Sequence, residues 1–451
     1  MTAATGERER VLELVQKYGF NATSFQTLED GYRYFFAEEA CVAYVDTGRA
    51  WVVAGAPIAE PTRIAPVLET FLAAARAAGR RTCLFATEQR LLDLAGDRLL
   101  SLRIGEQPVW DPRAWPETLR RRRSLREQLR RARAKGVRVR EVTASELEAG
   151  DTRQGIERVA ERWLRSRGMA PMDFLVRLEL FSFSQARRCF LAERDGQVLG
   201  VAGVVPVPAR GGWFIEDLVR DPAAPNGTGE LLIDAVMRWA AAQGSGWLTL
   251  GLAPLAGDVS PLLRAARKSG ALLYDFKGLR TYKAKLEPEQ WLPIYLSYPP
   301  RQSAWVSLLD ALAAFTRTGF WGFGWRTLTR GPIAVVRGLA ILLVPWTLVL
   351  ALAPAEPWFG YAQIKWCWVA FDVLIALGLF RYLHNRSTSS LTPLALAVTL
   401  DAFVTPIEAL LWNVPRARGL LDWAILAAAC AAPALASVVL WGARRSRLAA
   451  D

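Results

Sequence analysis

The stretch FIEDLVRDPAAPNGTGELLIDAVMRWA, residues 214–240, decides the fold of the first part of this chain. Its apolar residues predict a strand that ends at Arg220, and a turn rich in proline, asparagine and glycine then leads into a helix. A strand, a turn and a helix in this order are typical of α/β proteins. On a regular strand the side chains of Glu216 and Asp217 would point to opposite faces of the sheet.

The start of this helix is a candidate anion site, because its bare backbone N–H groups and the positive end of the helix dipole attract negative charge. The residues concerned are Asn226, Gly227, Thr228 and Gly229. If Asp217 and Arg220 lie close to them, the carboxylate can accept a proton from a hydroxyl and the guanidinium can clamp a phosphate. A salt-bridged turn before a capped helix explains the same residues, and spacing alone favours that simpler interpretation.

The order hairpin, helix, strand occurs twice in the first 300 residues. In the first copy the hairpin turns at Asp46-Thr47-Gly48 and the helix ends at Gly79. In the second copy the hairpin turns at Asp195-Gly196 and the helix ends at Gly244. Such turn and helix-end signals predict two related α/β halves packed together.

Between the two copies lies LRRRRSLREQLRRARAKGVRVR, residues 119–140, which contains eleven basic residues and one acid. An apolar stripe, formed by Leu119, Leu125, Leu129 and Ala132, predicts a helix that packs on one side, and a strand follows it. Its arginines suit contact with RNA phosphates or with a membrane surface. A solvated helix face is an equally good interpretation. The candidate contact residues are Arg120, Arg121, Arg122, Arg123, Arg130, Arg131 and Arg133.

The last part of the chain is apolar at bilayer-spanning length. Runs of about 20 apolar residues recur after Gly331, and they predict spans at about 333–354, 364–383, 391–413 and 420–442. Residues 303–329, where aromatic side chains are mixed with arginines, suit a helix lying in the bilayer interface. The expected segments are a first half (1–118), a second half that begins with the basic helix (119–300), an interfacial segment (301–330) and a transmembrane tail (331–451).

The charges around the predicted spans favour a cytoplasmic front part, because cytoplasmic span ends are enriched in arginine and lysine. The ends on that side carry Arg326, Arg330, Arg381, Arg386, Arg444, Arg445 and Arg447, and the other ends carry Lys365, Arg416 and Arg418. The N-terminal residues also have no apolar segment typical of a signal peptide. Three acids fall within the spans and are either functional or paired with an arginine such as Arg337. They are Asp372, Asp401 and Glu408.

Composition limits the possible chemistry. The net charge of +13 and the isoelectric point of about 9.9 point to polyanionic partners, either RNA or anionic lipids. The five cysteines are scattered without a CxxC pair, so neither a zinc site nor a disulfide framework is indicated. His384 is the only histidine and adjoins a predicted span, which excludes histidine-based catalytic triads.

Five blocks of sequence together resemble the catalytic domain of the lysyl-phosphatidylglycerol synthase family, also called multiple peptide resistance factor. They occur in the family's order and cover roughly residues 15–297. The blocks are GFNATSFQTLEDGYRYFF (19–36), WVVAGAPIA (51–59), EDLVRDPAAPNGTGELLIDA (216–235), LGLAPLAG (250–257) and YDFKGLRTYKAKLEPEQWLPIYL (274–296).

The resemblance implies an α/β fold of two tandem acetyltransferase-like (GNAT-like) halves. It also implies an enzyme that transfers an aminoacyl group from aminoacyl-tRNA to a lipid hydroxyl, that of phosphatidylglycerol, at the cytoplasmic face of the bacterial inner membrane. On this resemblance Asp217 and Arg220 match the family's Asp-x-x-Arg pair, and Lys283 and Lys285 match its C-terminal lysine block.

These residues suggest a mechanism. Asp217 would act as base or orient the attacking hydroxyl, and Arg220 would contact the lipid phosphate. Lys283 or Lys285 would stabilise developing negative charge or hold the tRNA end. Because the tRNA ester is already activated, no metal or cofactor is expected. The further substrate-binding candidates are Glu216, Arg280 and the four residues of the helix start.

The chain departs from the family at two places. Familiar members carry many spans before the catalytic domain, whereas here about four spans follow it. The family often has an acid where this chain reads Lys268-Ser269-Gly270-Ala271. Neither the amino acid transferred nor the oligomeric state follows from the sequence.

Two other functions stay open. The first is an acyl-CoA-dependent N-acyltransferase of aminolipid synthesis. Such enzymes have Arg or Gln three residues before the first glycine of the helix start, and Ala224 occupies that position. The second is a non-catalytic membrane protein that binds anionic lipid or RNA. The presence of Asp217, Arg220 and the lysine block argues against it.

Overall fold

The chain forms two compact units, and the main boundary between them lies between Gly319 and Phe320. The computed structural model describes residues 2–148, 150–167, 174–261, 263–264, 276–316, 319–354, 358–359, 361–385 and 388–448. The first unit is built on a mixed sheet, and the second is all helical. The α/β fold class with an all-α apolar tail is therefore confirmed.

In the part of the chain that the structure describes, the sheet of the first unit contains twelve strands. In chain order they are β1 (Arg33–Ala37), β2 (Ala40–Asp46), β3 (Ala50–Ala54), β4 (Arg81–Thr87), β5 (Leu100–Trp110), β6 (Arg138–Val142), β7 (Arg188–Arg194), β8 (Gln197–Val207), β9 (Gly212–Arg220), β10 (Trp247–Thr249), β11 (Ala253–Pro254) and β12 (Gln290–Tyr298). The spatial order is β1-β2-β3-β4-β12-β5-β10-β9-β8-β7-β6, and β11 pairs with β5.

The helices of the first unit cover the faces of this sheet. They are α1 (Thr2–Tyr18), α2 (Pro61–Ala77), α3 (Gln89–Ala95), α4 (Trp115–Arg121), α5 (Arg123–Ala134), α6 (Ala144–Glu148), α7 (Gly150–Ser166), α8 (Thr228–Ala242), α9 (Phe276–Lys285) and α10 (Ala304–Phe315). The basic segment thus forms two helices that meet at Arg122, followed by strand β6.

The repeat predicted from the sequence is present. In each half an antiparallel hairpin leads through a helix to a strand that runs parallel to the hairpin's last strand, β3 with β4 and β9 with β10. The hairpin turn predicted at Asp195 and Gly196 lies one strand earlier and joins β7 to β8; its φ angles of 52° and 77° are those of a tight two-residue turn. The tandem acetyltransferase-like arrangement is therefore confirmed.

The two halves are interleaved rather than side by side. Strand β12 comes last in the first unit, yet it inserts between β4 and β5 and is antiparallel to both. Strand β5 in turn pairs with β10 of the second half. One continuous sheet therefore joins both halves, and each half depends on a strand that the other contributes.

Apolar spacing explains how the helices pack. Helix α2 begins with proline at its first position, where the missing N–H costs nothing, and buries one face from Ile64 to Ala75. Helix α8 buries Leu232, Ile233, Val236 and Met237 against the second half of the sheet. The stripe predicted on the basic segment is confirmed. Its members Leu119, Leu125, Leu129 and Ala132 are buried in the same core.

The second unit contains five described helices. They are α11 (Gly319–Leu328), α12 (Ile333–Leu352), α13 (Ala362–Asn385), α14 (Thr388–Glu408, which continues in irregular helical turns to Arg416) and α15 (Leu420–Leu448). Four stretches are long and apolar enough to cross a membrane, at Ile333–Leu352, Ala362–Asn385, Ser390–Arg416 and Leu420–Ser446. They coincide with the four spans predicted from the sequence.

Candidate active site

A bulge in strand β9 shapes the candidate site. Asp217 pairs with Gly203 and Ile215 pairs with Val204, so Glu216 is an extra residue that has no partner on β8. A bulge interrupts the alternation of side chains between the two faces. The opposite placement of Glu216 and Asp217 expected for a regular strand therefore does not hold, and both carboxylates belong to one buried cluster.

This acidic cluster consists of four carboxylates around one guanidinium. Its members are Glu29, Glu179, Glu216, Asp217 and Arg187. Arg187 Nη1 lies 3.2 Å from Glu216 Oε2, and both side chains are 2% exposed. Glu29 and Asp217 are also buried. Glu179, closer to the surface, forms an ion pair of 3.1 Å with Arg177.

Several polar atoms of the acidic cluster have no hydrogen-bond partner within the described residues. Apart from Arg187 Nη1 and Glu216 Oε2, which face each other in the ion pair, they are Glu29 Oε1, Glu216 Oε1, Asp217 Oδ2 and Arg187 Nε. Buried polar groups are nearly always hydrogen-bonded, so each of these atoms calls for an explanation. A ligand that brings hydrogen-bond donors and positive charge would satisfy the oxygens.

The electrostatics of the acidic cluster favour protonated carboxyls. Burial raises the pKa of Asp217 well above its usual range, and the negative charge of Glu216 raises it further. Burial also raises the pKa of Glu216, although the Arg187 guanidinium opposes this. The pKa of Glu29 rises to about 9, mainly through burial and then through Glu216. In each of these three carboxyls, burial therefore favours the protonated form.

Arg220 lies on the other face of the sheet. No bulge separates it from Asp217, because positions 217–220 pair regularly with positions 203–200 of β8. An odd spacing of three residues puts the two side chains on opposite faces. Arg220 Nη1 donates to the carbonyl oxygen of Ala224 at 3.2 Å. The structure therefore does not bring Asp217 and Arg220 together on one face.

The start of helix α8 is largely covered. Gly227 has a left-handed φ of 94°, and a Cβ there would lie 2.3 Å from the carbonyl oxygen of Gln128 in α5, so only glycine fits. Thr228 is fully buried, whereas Asn226 is exposed. A Cβ on Gly229 would lie 3.3 Å from the Tyr282 hydroxyl. The predicted anion site is thus enclosed by α5 and α9 rather than open.

A cleft of about 200 Å³ opens beside this helix start. It lies between helices α5, α8 and α9, and its lining combines hydroxyl, amide, acidic and basic groups. The lining residues are Ser124, Leu125, Gln128, Glu230, Tyr282, Lys285 and Leu286. Lys285 is exposed there, so its ammonium is available to a ligand. Burial raises the pKa of Tyr282 above its usual range, which keeps its hydroxyl protonated.

Lys283, unlike Lys285, is bound by the protein itself. Its ammonium is buried and donates to three backbone carbonyl oxygens, those of Leu250 at 2.7 Å, Gly251 at 2.9 Å and Leu252 at 2.9 Å. An ammonium has three N–H donors, so none is left for a substrate. Burial lowers the pKa of Lys283 to about 7, while the carbonyl oxygens favour its charged form. This contact argues for a structural role, not for the predicted contact with substrate.

Arg280 is also engaged by the protein. Its Nη2 lies 3.5 Å from Glu106 Oε2, and its guanidinium lies 4.7 Å from the centre of the Trp291 ring. Arg103 binds the other oxygen of Glu106 at 2.7 Å. Arg280 therefore lies in an ion-pair group on β5 and β12, with part of its side chain exposed.

The chain matches, over residues 12–298, the protein family described as "Phosphatidylglycerol lysyltransferase, C-terminal". It belongs to this family. The chain is 24% identical over 328 residues to the phosphatidylglycerol lysyltransferase of Bacillus subtilis, with 68% of this chain and 37% of that protein covered. It is 28% identical over 232 residues to a lysylphosphatidylglycerol biosynthesis bifunctional protein of Nocardia farcinica, covering 48% of this chain and 20% of that one. The chain thus spans just over a third of the length of the first of these relatives.

Two solved structures share the fold of the first unit. One is the C-terminal domain of a protein described as a lysylphosphatidylglycerol synthetase from Agrobacterium fabrum, with a TM-score of 0.58, 24% identity, and 69% of this chain and 96% of that chain covered. The other is L-PGS from Bacillus licheniformis, with a TM-score of 0.58, 22% identity, and 68% and 97% covered. The resemblance to the lysyl-phosphatidylglycerol synthase family is confirmed.

The basic helices α4 and α5 expose the predicted arginines, but most of them already have acidic partners. Arg120 and Arg121 pair with Glu117, and Arg122 pairs with Glu287. Arg130 lies 2.8 Å from Glu127, and Arg133 lies 2.7 Å from the buried Asp234 of α8. Of the seven predicted arginines, Arg123 and Arg131 form no ion pair with an acid among the described residues. These two arginines are the ones most available to an external anion.

Two of the three acids in the long apolar helices are hydrogen-bonded within the second unit. Thr405 Oγ1 donates to Asp401 Oδ1 at 2.6 Å, and Trp368 Nε1 donates to Glu408 Oε2 at 2.7 Å. Asp372 is buried. In the described part of this unit, no ion pair joins any of the three acids to Arg337. An ion pair with Arg337 therefore does not explain the position of these acids.

Sequence reasoning missed three members of the acidic cluster. Glu29 could have been predicted from the sequence, because it lies in the block of residues 19–36 that carries the family resemblance. Glu179 and Arg187 come from a stretch without a quoted block, and only the folded chain brings them to the β9 bulge. Residues 265–275, which include the departure at 268–271, lie outside the described residues.

Proposed function

We propose that this protein transfers a lysyl group from lysyl-tRNA to a hydroxyl of phosphatidylglycerol at the cytoplasmic face of the bacterial inner membrane. The observation that carries the proposal is the buried acidic cluster at the β9 bulge. It lies in a unit of the phosphatidylglycerol lysyltransferase family that continues into four helices of bilayer-spanning length. A lipid acceptor suits an enzyme whose own chain is embedded in the bilayer.

The reaction is a transesterification. The lipid hydroxyl oxygen forms a bond to the lysyl carbonyl carbon, and the bond from that carbon to the ribose oxygen of the tRNA breaks. One proton leaves the lipid hydroxyl and ends on the ribose oxygen. The chain therefore has to position two substrates and move one proton, which a single carboxyl group can do.

Asp217 is the candidate for this proton transfer. Its raised pKa favours the protonated form, which cannot act as a base. A cationic lysyl group entering the acidic cluster would place positive charge near the carboxyls and favour their ionised forms. Asp217 would then accept the hydroxyl proton and return it to the leaving ribose oxygen. In this proposal the positive charge of the lysyl group shifts Asp217 to its ionised form, which can act as a base.

The same cluster favours a cationic amino acid over a neutral one. Four carboxyl groups face one buried guanidinium, and several of the oxygens lack partners in the described structure. A lysyl ammonium supplies three N–H donors and one positive charge, which match these oxygens. An alanyl side chain would leave them unpaired, and unpaired buried polar groups are costly.

The opposite face of β9 suits the polyanionic parts of the substrates. Arg220, Lys285 and the Tyr282 hydroxyl lie near the start of α8, where the helix dipole also favours negative charge. Arg123 and Arg131 on α5 would attract the tRNA backbone. Arg220 then contacts a phosphate without touching the reacting atoms, and Lys283 holds the chain at the end of β10.

Lipid mass spectrometry tests the proposal. A bacterial host without such lipids would express the wild type, Asp217→Asn or the matched surface variant Asp97→Asn. The wild type and Asp97→Asn should produce phosphatidylglycerol heavier by one lysyl residue, and Asp217→Asn should not, although it accumulates in the membrane equally. Absence of any aminoacylated lipid in the wild-type host would overturn the proposal.

The donor is tested separately in isolated membranes. Product formation from radiolabelled lysyl-tRNA should stop after RNase treatment. Product formation that survives RNase and requires acyl-CoA would establish the acyl-CoA-dependent N-acyltransferase instead.

A further inference from the structure

Helix α10 presents an apolar stripe to the outside of the first unit. Trp305, Leu309 and Leu312 are 47%, 54% and 41% exposed, and their spacing of four and three residues puts them on one side of the helix. Val306, 37% exposed, extends the stripe. Large apolar side chains grouped in this way mark a surface that binds a partner or a membrane.

The inner side of the same helix carries the polar groups. Ser307 is fully buried and Asp310 is 5% exposed, next to the buried Ala311 and Ala314. Leu308 and Phe315 of the same helix also pack against the core of the first unit. The helix is therefore anchored to its own unit without the exposed stripe, which is left for something outside that core.

The stripe is held on a rigid support. Arg81 of β4 binds Asp310 through two contacts of 2.7 Å each, Nε to Oδ2 and Nη2 to Oδ1. Gln302 exchanges two hydrogen bonds with the backbone of Thr82, at 2.8 and 3.1 Å. Ser303 caps the helix through the N–H of Val306. The helix is therefore fixed to the sheet, and its outer side is presented in one orientation.

The covalent chain indicates what covers this stripe. Only residues 316–332 separate the end of α10 from α12, the first helix that is apolar and long enough to cross a bilayer. Even fully extended, these residues reach no more than about 60 Å. When α12 spans a bilayer, the stripe is therefore held close to that bilayer at a high effective concentration. Trp305 at one end of the stripe also suits the level of the lipid headgroups.

We propose that the stripe formed by Trp305, Val306, Leu309 and Leu312 lies in the membrane interface. It binds lipid directly and fixes the orientation of the first unit's sheet to the bilayer surface. This inference goes beyond the proposed function, because it concerns contact with lipid as a solvent and not with lipid as a substrate.

Nitroxide accessibility in the full-length protein tests the inference. The protein would be placed in nanodiscs of phosphatidylglycerol and phosphatidylethanolamine, with Cys367 and Cys430 replaced by alanine. The three remaining cysteines are buried, at no more than 1% exposure. Spin labels would be attached at Leu309→Cys or Leu312→Cys, and at Glu69→Cys on the exposed side of α2 as the matched control.

Labels at 309 and 312 should collide readily with oxygen, which dissolves in lipid. Their collisions with a water-soluble nickel complex should be at least fivefold less frequent than those of the control label. The control label should show the reverse preference. Equal access of nickel to positions 309 and 69 would overturn the inference, as would shielding of position 309 from both reagents, which indicates a protein partner. The measurement does not depend on lysyl transfer, so its outcome is separate from that of the proposed function.

Discussion

Asp217 and Arg220 lie three residues apart on strand β9 and point to opposite faces of the sheet. Asp217 belongs to the buried acidic cluster, and Arg220 lies near the start of helix α8. Two residues that form one motif in the sequence therefore belong to two separate sites in the folded chain. The proton transfer proposed for Asp217 and the phosphate contact proposed for Arg220 therefore lie on different faces.

This separation predicts distinct kinetic effects. Asp217→Asn should lower kcat about 10²- to 10⁴-fold, because it removes the group proposed to transfer the proton, and should leave the KM for the lipid nearly unchanged. Arg220→Ala should raise an apparent KM about tenfold, because a charge-assisted contact to a phosphate is lost. Steady-state kinetics in membranes with each substrate varied would show the split. A large loss of kcat in Arg220→Ala at saturating substrates would contradict it.

The two lysines of α9 should differ in what they stabilise. Lys283→Met leaves three carbonyl oxygens without a donor and should lower the free energy of unfolding by about 3 kcal/mol or more. Lys285→Met removes an exposed ammonium and should change it by less than about 0.5 kcal/mol.

Thermal unfolding followed by fluorescence measures both lysine variants, and an activity assay separates them further. Lys285→Met should retain its thermal stability. It should lose activity, because the cleft near Tyr282 then lacks an ammonium that can bind a ligand. Equal stability of the two variants would mean that the buried ammonium of Lys283 is not what holds the end of β10.

The sequence predicted the elements that local signals determine. The hairpin turn at Asp195-Gly196 requires two residues that tolerate positive φ, and the four apolar spans require only length and hydropathy. The buried stripe of the basic segment followed from helical spacing alone. In each of these cases neighbouring residues in the chain contain the whole signal.

The features that were missed depend on partners distant in the chain. The bulge at Glu216 arises from the register with β8, and periodicity within β9 gives no sign of it. Lys283 looks like an available cation until its three carbonyl acceptors, more than 30 positions earlier, are known. The insertion of β12 between β4 and β5 is also non-local. The acidic cluster is non-local in the same way, because its members come from three separate segments, at Glu29, at 179–187 and at the β9 bulge.

Glu29 predicts a pH dependence of stability. Its pKa is about 9 in the folded state, mainly because of burial, against 4.5 when exposed. Between these values the folded state keeps a proton that the unfolded state has lost, so stability must fall as pH rises from about 4.5 to about 9. Glu29→Gln removes this titration and should flatten that part of the curve.

Thermal midpoints measured at intervals across this pH range test the assignment to Glu29. The matched control is Glu69→Gln, which alters an exposed glutamate of α2 and should keep the wild-type slope. If Glu29→Gln retains the wild-type slope as well, the proton is held elsewhere in the cluster.

The contact between Arg81 and Asp310 should stabilise the docking of α10. Asp310→Ala should cost about 1–2 kcal/mol, a modest amount because the Arg81 side chain is 43% exposed and water can solvate it once it is unpaired. Arg81→Met should cost a similar amount, and the double variant should cost less than the sum of both. Additive costs in a thermal double-mutant cycle would show that the pair contributes nothing by itself.

Arg123 and Arg131 predict the salt dependence of tRNA binding. Each arginine that contacts a phosphate releases counterions, so its loss should weaken binding of lysyl-tRNA and lower the slope of log K against log salt concentration by about 1. Arg123→Gln combined with Arg131→Gln should therefore lower the slope by about 2. Arg120→Gln is the matched control, because that arginine is already paired with Glu117 and should change the slope much less. Filter binding with the full-length protein from 50 to 300 mM salt measures the slopes, and equal slopes for the double variant and the wild type would place the tRNA contact on another surface.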